Sequence, residues 1–449
     1  MRTIILCCLL CIVKALPAQD ILNQYIRQGL ENNLALKQKE AGLRKSMEAL
    51  KEAKGLFYPN LAVNARYTYS QGGRSIAFPI GDLMNPVYSA LNGLLSTNEF
   101  QMVENQEFQF LRTTEHETKL RLVQPVLNTD IVYNAKIKQG YTVAEEISLE
   151  SYKRELTAEI KKAYYTVGLT NRVMVMLRET RSILEENVRV NEKLVQNDKV
   201  TADNLMRSRT ELSKFDQEFL EAEKNRKVAV AYFNFLLNRS LEDSIILETP
   251  EDLMGQPADT GINYLQYAIE NREEIKSLEN YLDISELNIK LNRSAALPNI
   301  MMVADYGFQG ERYEFNKNQD FLQASLVLSW DIFTGFQRKA KTGQALIQKE
   351  IIDDQLNEAR KQVTLQVITA QNELKASEAG ILTARDRLKT AREGFRLVSR
   401  KYEEGQASLI EFLDARNSMT NAEENLIISY YTHLINYAEF EKVTANLLL

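Results

Sequence analysis

Proline placement constrains this chain more than any other feature. None of the eight prolines falls between Val126 and Thr249, and none follows Pro298. Two proline-free runs of that length, rich in Glu, Lys, Leu, Ala and Gln, predict long helices of coiled-coil character rather than a string of compact domains. Each run turns back on itself once. KYEEGQASLIEFLDARNSM (401–419) reads as a helix end, a tip turn at 404–408 and a new helix capped by Ser408, with Glu411 three residues on. LVQNDKVTADNLMRSRTEL (194–212) has the same design, with a tip turn at 197–201 and Thr201 as the cap. At one constant offset Arg209 aligns with Arg416, Leu205 with Phe412 and Ser208 with Ala415. The chain is therefore an internal tandem repeat.

Each repeat interrupts its helices at the same place. A helix over 20–56 gives way to alternation, with Leu61, Val63, Ala65, Tyr67 and Tyr69 apolar and Asn60, Asn64, Arg66, Thr68 and Ser70 polar. About ten alternating residues is the length of a tilted membrane-spanning strand. A second helix over 264–296 gives way to Ile300, Met302, Ala304, Tyr306 and Phe308, and the partner strand alternates at Leu322, Ala324, Leu326, Leu328 and Trp330. Pro59 and Pro298 mark the two helix-to-strand junctions. The first hairpin carries about 33 more residues than the second. That surplus falls in 71–118, where Gly72, Gly73, Pro79, Gly81, Pro86 and Gly93 predict a long loop with short structure at most around Val87–Leu95. The expected layout is a first repeat over 19–248, a linker over 249–262 containing Pro250 and Pro257, and a second repeat over 263–449. Just before the linker, Ile245, Ile246 and Leu247 suggest a short strand.

Residues 1–18, with Arg2, the apolar run Ile4 to Val13 and small residues at the end, match a secretory signal peptide. All three cysteines lie inside it, so disulfides and thiolate chemistry are excluded from the mature chain. The formal net charge is −6. An acidic chain without a basic cluster argues against a nucleic-acid partner. No later apolar run is long enough for a transmembrane helix, so any membrane crossing must use strands. Enzyme motifs are equally scarce. His116 and His433 are the only histidines: His433 sits by Leu426, Tyr430, Leu434 and Tyr437 as a packed residue, and His116 is expected to be solvated at the mouth of a strand. Without a phosphate loop, a nucleophile elbow or zinc spacing, no catalytic, cofactor or metal site is expected.

Four strands cannot close a membrane barrel, and open edges are not tolerated in lipid. Two chains would give eight strands and three would give twelve; the count alone does not choose. With YPN and LPN before the first strand of each repeat, SWDIFTG ending the fourth strand and EGQASLIEFLDARNS at the second tip, nearly the whole mature chain resembles the TolC-like outer-membrane efflux protein family. The resemblance implies a mainly α fold with a membrane β-barrel portion. Three chains would share one twelve-stranded barrel in the outer membrane, continuous with an α-helical coiled-coil tunnel extending into the periplasm. It implies the outer-membrane channel of a tripartite efflux or type I secretion system, with a periplasmic adaptor and an inner-membrane pump as partners. Carried over by position, Tyr402, Glu411 and Asp414 would stand at the pore entrance. Asp198, Lys199, Val200, Thr201, Gly405, Gln406, Ala407 and Ser408 would form the adaptor-contacting tips. Departures from the family pattern are Asp198 for a frequent glycine, Asn204 for an acid and Ala407 where relatives carry arginine. A secreted periplasmic coiled-coil scaffold would account for the helices but not for paired strands at matching places in both repeats.

Overall fold

The computed structural model describes residues 19–248 and 263–446; the leader and the linker lie outside them. The helices are α1 Gln19–Asn32, α2 Leu34–Gly55, α3 Ile80–Leu95, α4 Thr129–Gln196, α5 Ala202–Leu236, α6 Tyr264–Asn271, α7 Glu273–Ser294, α8 Gln337–Glu403 and α9 Leu409–Val443. The strands are β1 Asn60–Tyr69, β2 Ser75–Phe78, β3 Gln106–Gln109, β4 Thr114–Leu127, β5 Asn299–Gly310 and β6 Asp320–Ser329. They divide into a helical unit (residues 19–47, 140–285 and 347–446) and a strand-bearing unit (48–139 and 286–346).

Helices α4 and α8 run for 68 and 67 residues without a break, as their proline-free sequences require. The helices expected over 20–56 and 264–296 are each two segments, broken at Asn33 and Arg272. Neither break carries Pro or Gly; each is held by a side chain. Asn33 Nδ2 donates to the Leu236 carbonyl (2.9 Å) and Arg272 Nη1 to the Val443 carbonyl (3.0 Å), equivalent points at the ends of α5 and α9. Each repeat thus ties its first helix to the carbonyl end of its last. The larger core packs Tyr25 edge-on against Phe233 (5.1 Å between centroids), with Tyr164, Leu36, Ile160 and Leu237 around them. The strand expected at Ile245 to Leu247 does not form. Its N–H groups are taken by tyrosines instead, Ile246 donating to Tyr25 Oη (3.0 Å) and Glu248 to Tyr164 Oη (2.9 Å). His433 is half-buried, its Nδ1 3.0 Å from Ser377 Oγ, and burial pushes the imidazole below its ordinary value.

The strand-bearing unit holds an antiparallel sheet in the order β1-β4-β5-β6. The registers put Val63 opposite Leu120, Leu120 opposite Tyr306 and Tyr306 opposite Leu322, so every apolar position found by alternation falls on one face. That face is bare: Val63 is 72 % and Leu322 76 % exposed. The opposite face carries a charge ladder across three strands. Arg66 meets Glu117 (3.6 Å), Glu117 meets Lys119 (2.6 Å), Lys119 meets Asp305 (3.4 Å), and Arg121 closes on Asp305 (2.7 Å). Pro125 is tolerated in β4 because it stands at a register shift before Leu127, beyond the last residue paired to β1. β1 and β6 end the strand order, each paired on one side only among the described residues.

Two expectations fail in this unit. His116 is fully buried rather than solvated, because Tyr313 stacks on it (4.1 Å) and its Nε2 lies 2.6 Å from the Arg312 carbonyl. The stretch 71–118 is largely ordered structure rather than a loop. Phe110 donates to the Arg74 carbonyl (2.9 Å), β2 pairs with β3, and the sixteen-residue helix α3 lies between them.

Candidate functional site at the hairpin tips

Both tips are built from the same backbone device. At the first, Asp198 takes φ +54° just past α4; its N–H reaches the Val195 carbonyl (3.0 Å) and the Lys199 N–H the Leu194 carbonyl (2.9 Å). At the second, Gly405 takes φ +72°, its N–H reaches Tyr402 O (3.0 Å), and the Gln406 N–H reaches Lys401 O (2.7 Å). Both are Schellman caps, which need one left-handed residue and so favour glycine. Asp198 holds that conformation at a cost of about 1 kcal/mol. Asp198→Gly is therefore expected to stabilise the first tip by about 1 kcal/mol, read as slower amide exchange at 194–199. Unchanged exchange would show that the aspartate side chain offsets the strain.

The restarts differ. Ser408 Oγ accepts from the Glu411 N–H (3.3 Å) while Glu411 Oε2 accepts from the Ser408 N–H (2.7 Å), a full capping box. The Ser408 N–H and hydroxyl together hold the Glu411 carboxyl below the usual carboxylate range. Thr201 occupies the cap position of α5, but its hydroxyl goes to Asp203 and makes no cap bond. Asn204, at the third helical position, lacks the reach that Glu411 has. Asp198, Lys199, Thr201, Gly405, Gln406 and Ser408 are exposed, and Val200 and Ala407 are half-buried at matching places.

The first turns of α9 have two faces. Glu411, Asp414 and Ile410 are exposed, while Phe412 and Arg416 pack inward. Tyr402 is on neither exposed face. Its ring stacks on Phe412 (4.9 Å), and its hydroxyl lies 3.2 Å from Nδ2 of Asn191, a fully buried residue of α4. Asn191 Nδ2 also donates to the Asn187 carbonyl (2.9 Å), and Ser208 Oγ of α5 donates to Asn187 Oδ1 (2.9 Å). This polar network stitches the two hairpins together at their tips. Beside it runs a groove of roughly 1040 Å³ lined by α4, α5, α8 and α9, including Val190, Leu194, Val200, Phe395 and Ile410.

Deeper in, Arg416 is 1 % exposed, with Nη2 3.1 Å from Glu211 Oε1 and the guanidinium over the Phe215 ring (5.7 Å). Burial lowers its affinity for the proton, and Glu211 and Glu218 work against that. Its repeat counterpart Arg209 instead makes an exposed pair with Glu192 (2.5 Å). Asn187, Asn191, Ser208 and Glu211 escaped the sequence reading. Their signal was two asparagines four apart on one face of an otherwise apolar helical stripe.

Among the described residues no helix is long and apolar enough to cross a membrane, and no group of three or more His, Cys, Asp or Glu side chains converges as a metal site. The family model described as outer membrane efflux protein matches residues 264–445, which is the second repeat. Alkaline protease secretion protein AprF of Pseudomonas aeruginosa is 19 % identical over 357 residues, covering 78 % of this chain and 74 % of AprF. Outer membrane protein TolC of Escherichia coli is 22 % identical over 452 residues, covering 96 % of this chain and 84 % of TolC. The outer-membrane channel OprN superposes with a TM-score of 0.76 at 14 % identity, over 95 % of this chain and 90 % of OprN. With a duplicated helix–hairpin–helix order, an exposed apolar sheet face and likeness along almost its full length, this chain has the fold of the TolC-like outer-membrane channels and is similar in sequence to outer-membrane efflux and secretion proteins.

Proposed function

We propose that three copies of this chain close one twelve-stranded barrel and act as the exit duct of an efflux or secretion system. An adaptor and an inner-membrane pump engage it through the hairpin tips. The observation that carries this reading is the four-stranded sheet, with one face largely apolar and exposed and both edges open. Lipid suits the face, and only further strands suit the edges. A scaffold in the periplasm would leave both in water. The deciding measurement is the native mass of the detergent-extracted mature chain from the outer-membrane fraction. Three copies are expected; a monomer in the soluble periplasmic fraction would overturn the proposal.

At the entrance, Asp414 is the selectivity group and Glu411 contributes behind its capping role. Threefold repetition sets three Asp414 carboxylates around one opening, which favours cations. Tyr402 is the latch between the hairpins, and 198–201 with 405–408 are the adaptor-facing turns. Asp414→Asn is expected to lower cation selectivity in a planar-bilayer recording, with a shift in reversal potential under a salt gradient. An unmoved reversal potential would place Asp414 away from the pore.

A further inference from the structure

The extension on the first hairpin is a built element with one face left uncovered. It begins as a continuation of β1 and β4, the Ser70 N–H donating to the Thr113 carbonyl (2.9 Å), and passes through β2 and β3 into α3. One side of α3 is fixed to the returning segment by paired amide clamps. Asn85 donates to the Val103 carbonyl (3.0 Å) and accepts from its N–H (2.8 Å), and Asn92 does the same with Phe100 (2.8 and 3.2 Å). Tyr88 packs on Phe100 between the clamps (5.7 Å). The other side presents Leu83, Val87, Ala90 and Leu94, all exposed, with Leu94 at 82 %.

That stripe has spacings of four, three and four, the a/d seam of one helix meeting its own kind. Its charge surroundings argue against a lipid surface. Between Arg74 and Arg112 there is no basic residue, whereas Asp82, Glu99, Glu104 and Glu107 are acidic. Interfacial helices that bind anionic lipid are lysine- and arginine-rich on their polar side. Position selects the remaining occupant. The extension rises from the hairpin that contains β1, the open edge against which a second copy must lie if the barrel is shared.

We propose that the α3 helices of neighbouring copies pack on one another through Leu83, Val87, Ala90 and Leu94, forming an inter-subunit clasp at the outer mouth of the barrel. The clasp rests on the shared-barrel reading and adds a second contact between copies beyond strand pairing. It also explains why so apolar a helix carries two asparagine clamps: its exposed face must be held in one orientation to meet its symmetry mates.

The mature chain has no cysteine, so Leu94→Cys introduces a single thiol. Treatment of the outer-membrane form with a short bis-maleimide is expected to give chain dimers on a denaturing gel. The yield should be roughly tenfold above that of Ser89→Cys, which lies off the stripe, because neighbouring thiols see each other at high effective concentration. A native mass of three copies without linked dimers would overturn the clasp and leave the shared barrel standing. A monomeric native mass would overturn both. As a second arm, Leu94→Trp in a Trp330→Phe background should resist quenching by lipids brominated in their acyl chains. Strong quenching would assign the face to the membrane and overturn the clasp.

Discussion

Gly307→Val is expected to abolish assembly of the strand-bearing unit, with the chain lost from the outer-membrane fraction. Gly307 in β5 lies opposite Lys119 in β4, where the two strands approach closely. A Cβ at 307 would fall onto the Thr118 carbonyl oxygen and within 2.6 Å of the Lys119 Cα and Cβ. The first two are backbone atoms of a strand paired on both sides, so no rotamer change relieves the clash. Overpacking of this kind costs about 1–3 kcal/mol where the surroundings yield and more where they do not. Gly343 is a useful control, because nothing lies within 4 Å of where its Cβ would stand. Gly343→Ala should therefore assemble. Wild-type recovery of Gly307→Val would mean that β4 and β5 separate more easily than their register suggests.

Glu211→Ala is expected to destabilise the helical unit by about 3 kcal/mol, the low end for removing one partner of a buried ion pair. The low end applies because the Glu211 side chain is 22 % exposed and Glu218 still acts on the guanidinium. What remains is a buried Arg416 whose Nε and Nη1 already have no hydrogen-bond partner among the described residues. Replacing both residues, as Arg416→Met with Glu211→Met, should recover most of the loss, since the desolvation penalty leaves with the charge. The repeat supplies its own comparison. Glu192→Ala breaks the exposed pair with Arg209 and should move stability by no more than about 0.5 kcal/mol. Chemical denaturation in detergent measures all three. A Glu211→Ala midpoint equal to that of Glu192→Ala would show that burial of Arg416 contributes nothing.

The strands and their faces were legible because alternation is a local signal and Pro59 and Pro298 fixed where it starts. The tips were legible because Gly405 and the Ser408–Glu411 pair act within one turn. What escaped depends on partners distant in sequence. The breaks at Asn33 and Arg272 lack a local breaker and exist because those side chains reach carbonyls at Leu236 and Val443. Helix α3 was hidden by Pro86 and Gly93, residues that read as loop until Asn85 and Asn92 are seen clamped to Val103 and Phe100. His116 looked solvated for the same reason, since Tyr313 covers it from the far end of the second hairpin. The Tyr402–Asn191 contact joins the two repeats, and no pattern within either repeat encodes it.

The open edges of β1 and β6 also bear on how such a chain reaches maturity. Helix α4 forms from contacts within one chain and needs no encounter. In the proposed shared barrel the sheet does not: its last hydrogen bonds would be intermolecular, so completing it would be a collision-dependent step whose rate falls with dilution. Until that step occurs, each chain displays two sticky borders and a greasy face to whatever it meets first. Supply of chains in time, and escort of the waiting ones, then limit yield more than the intrinsic stability of either unit.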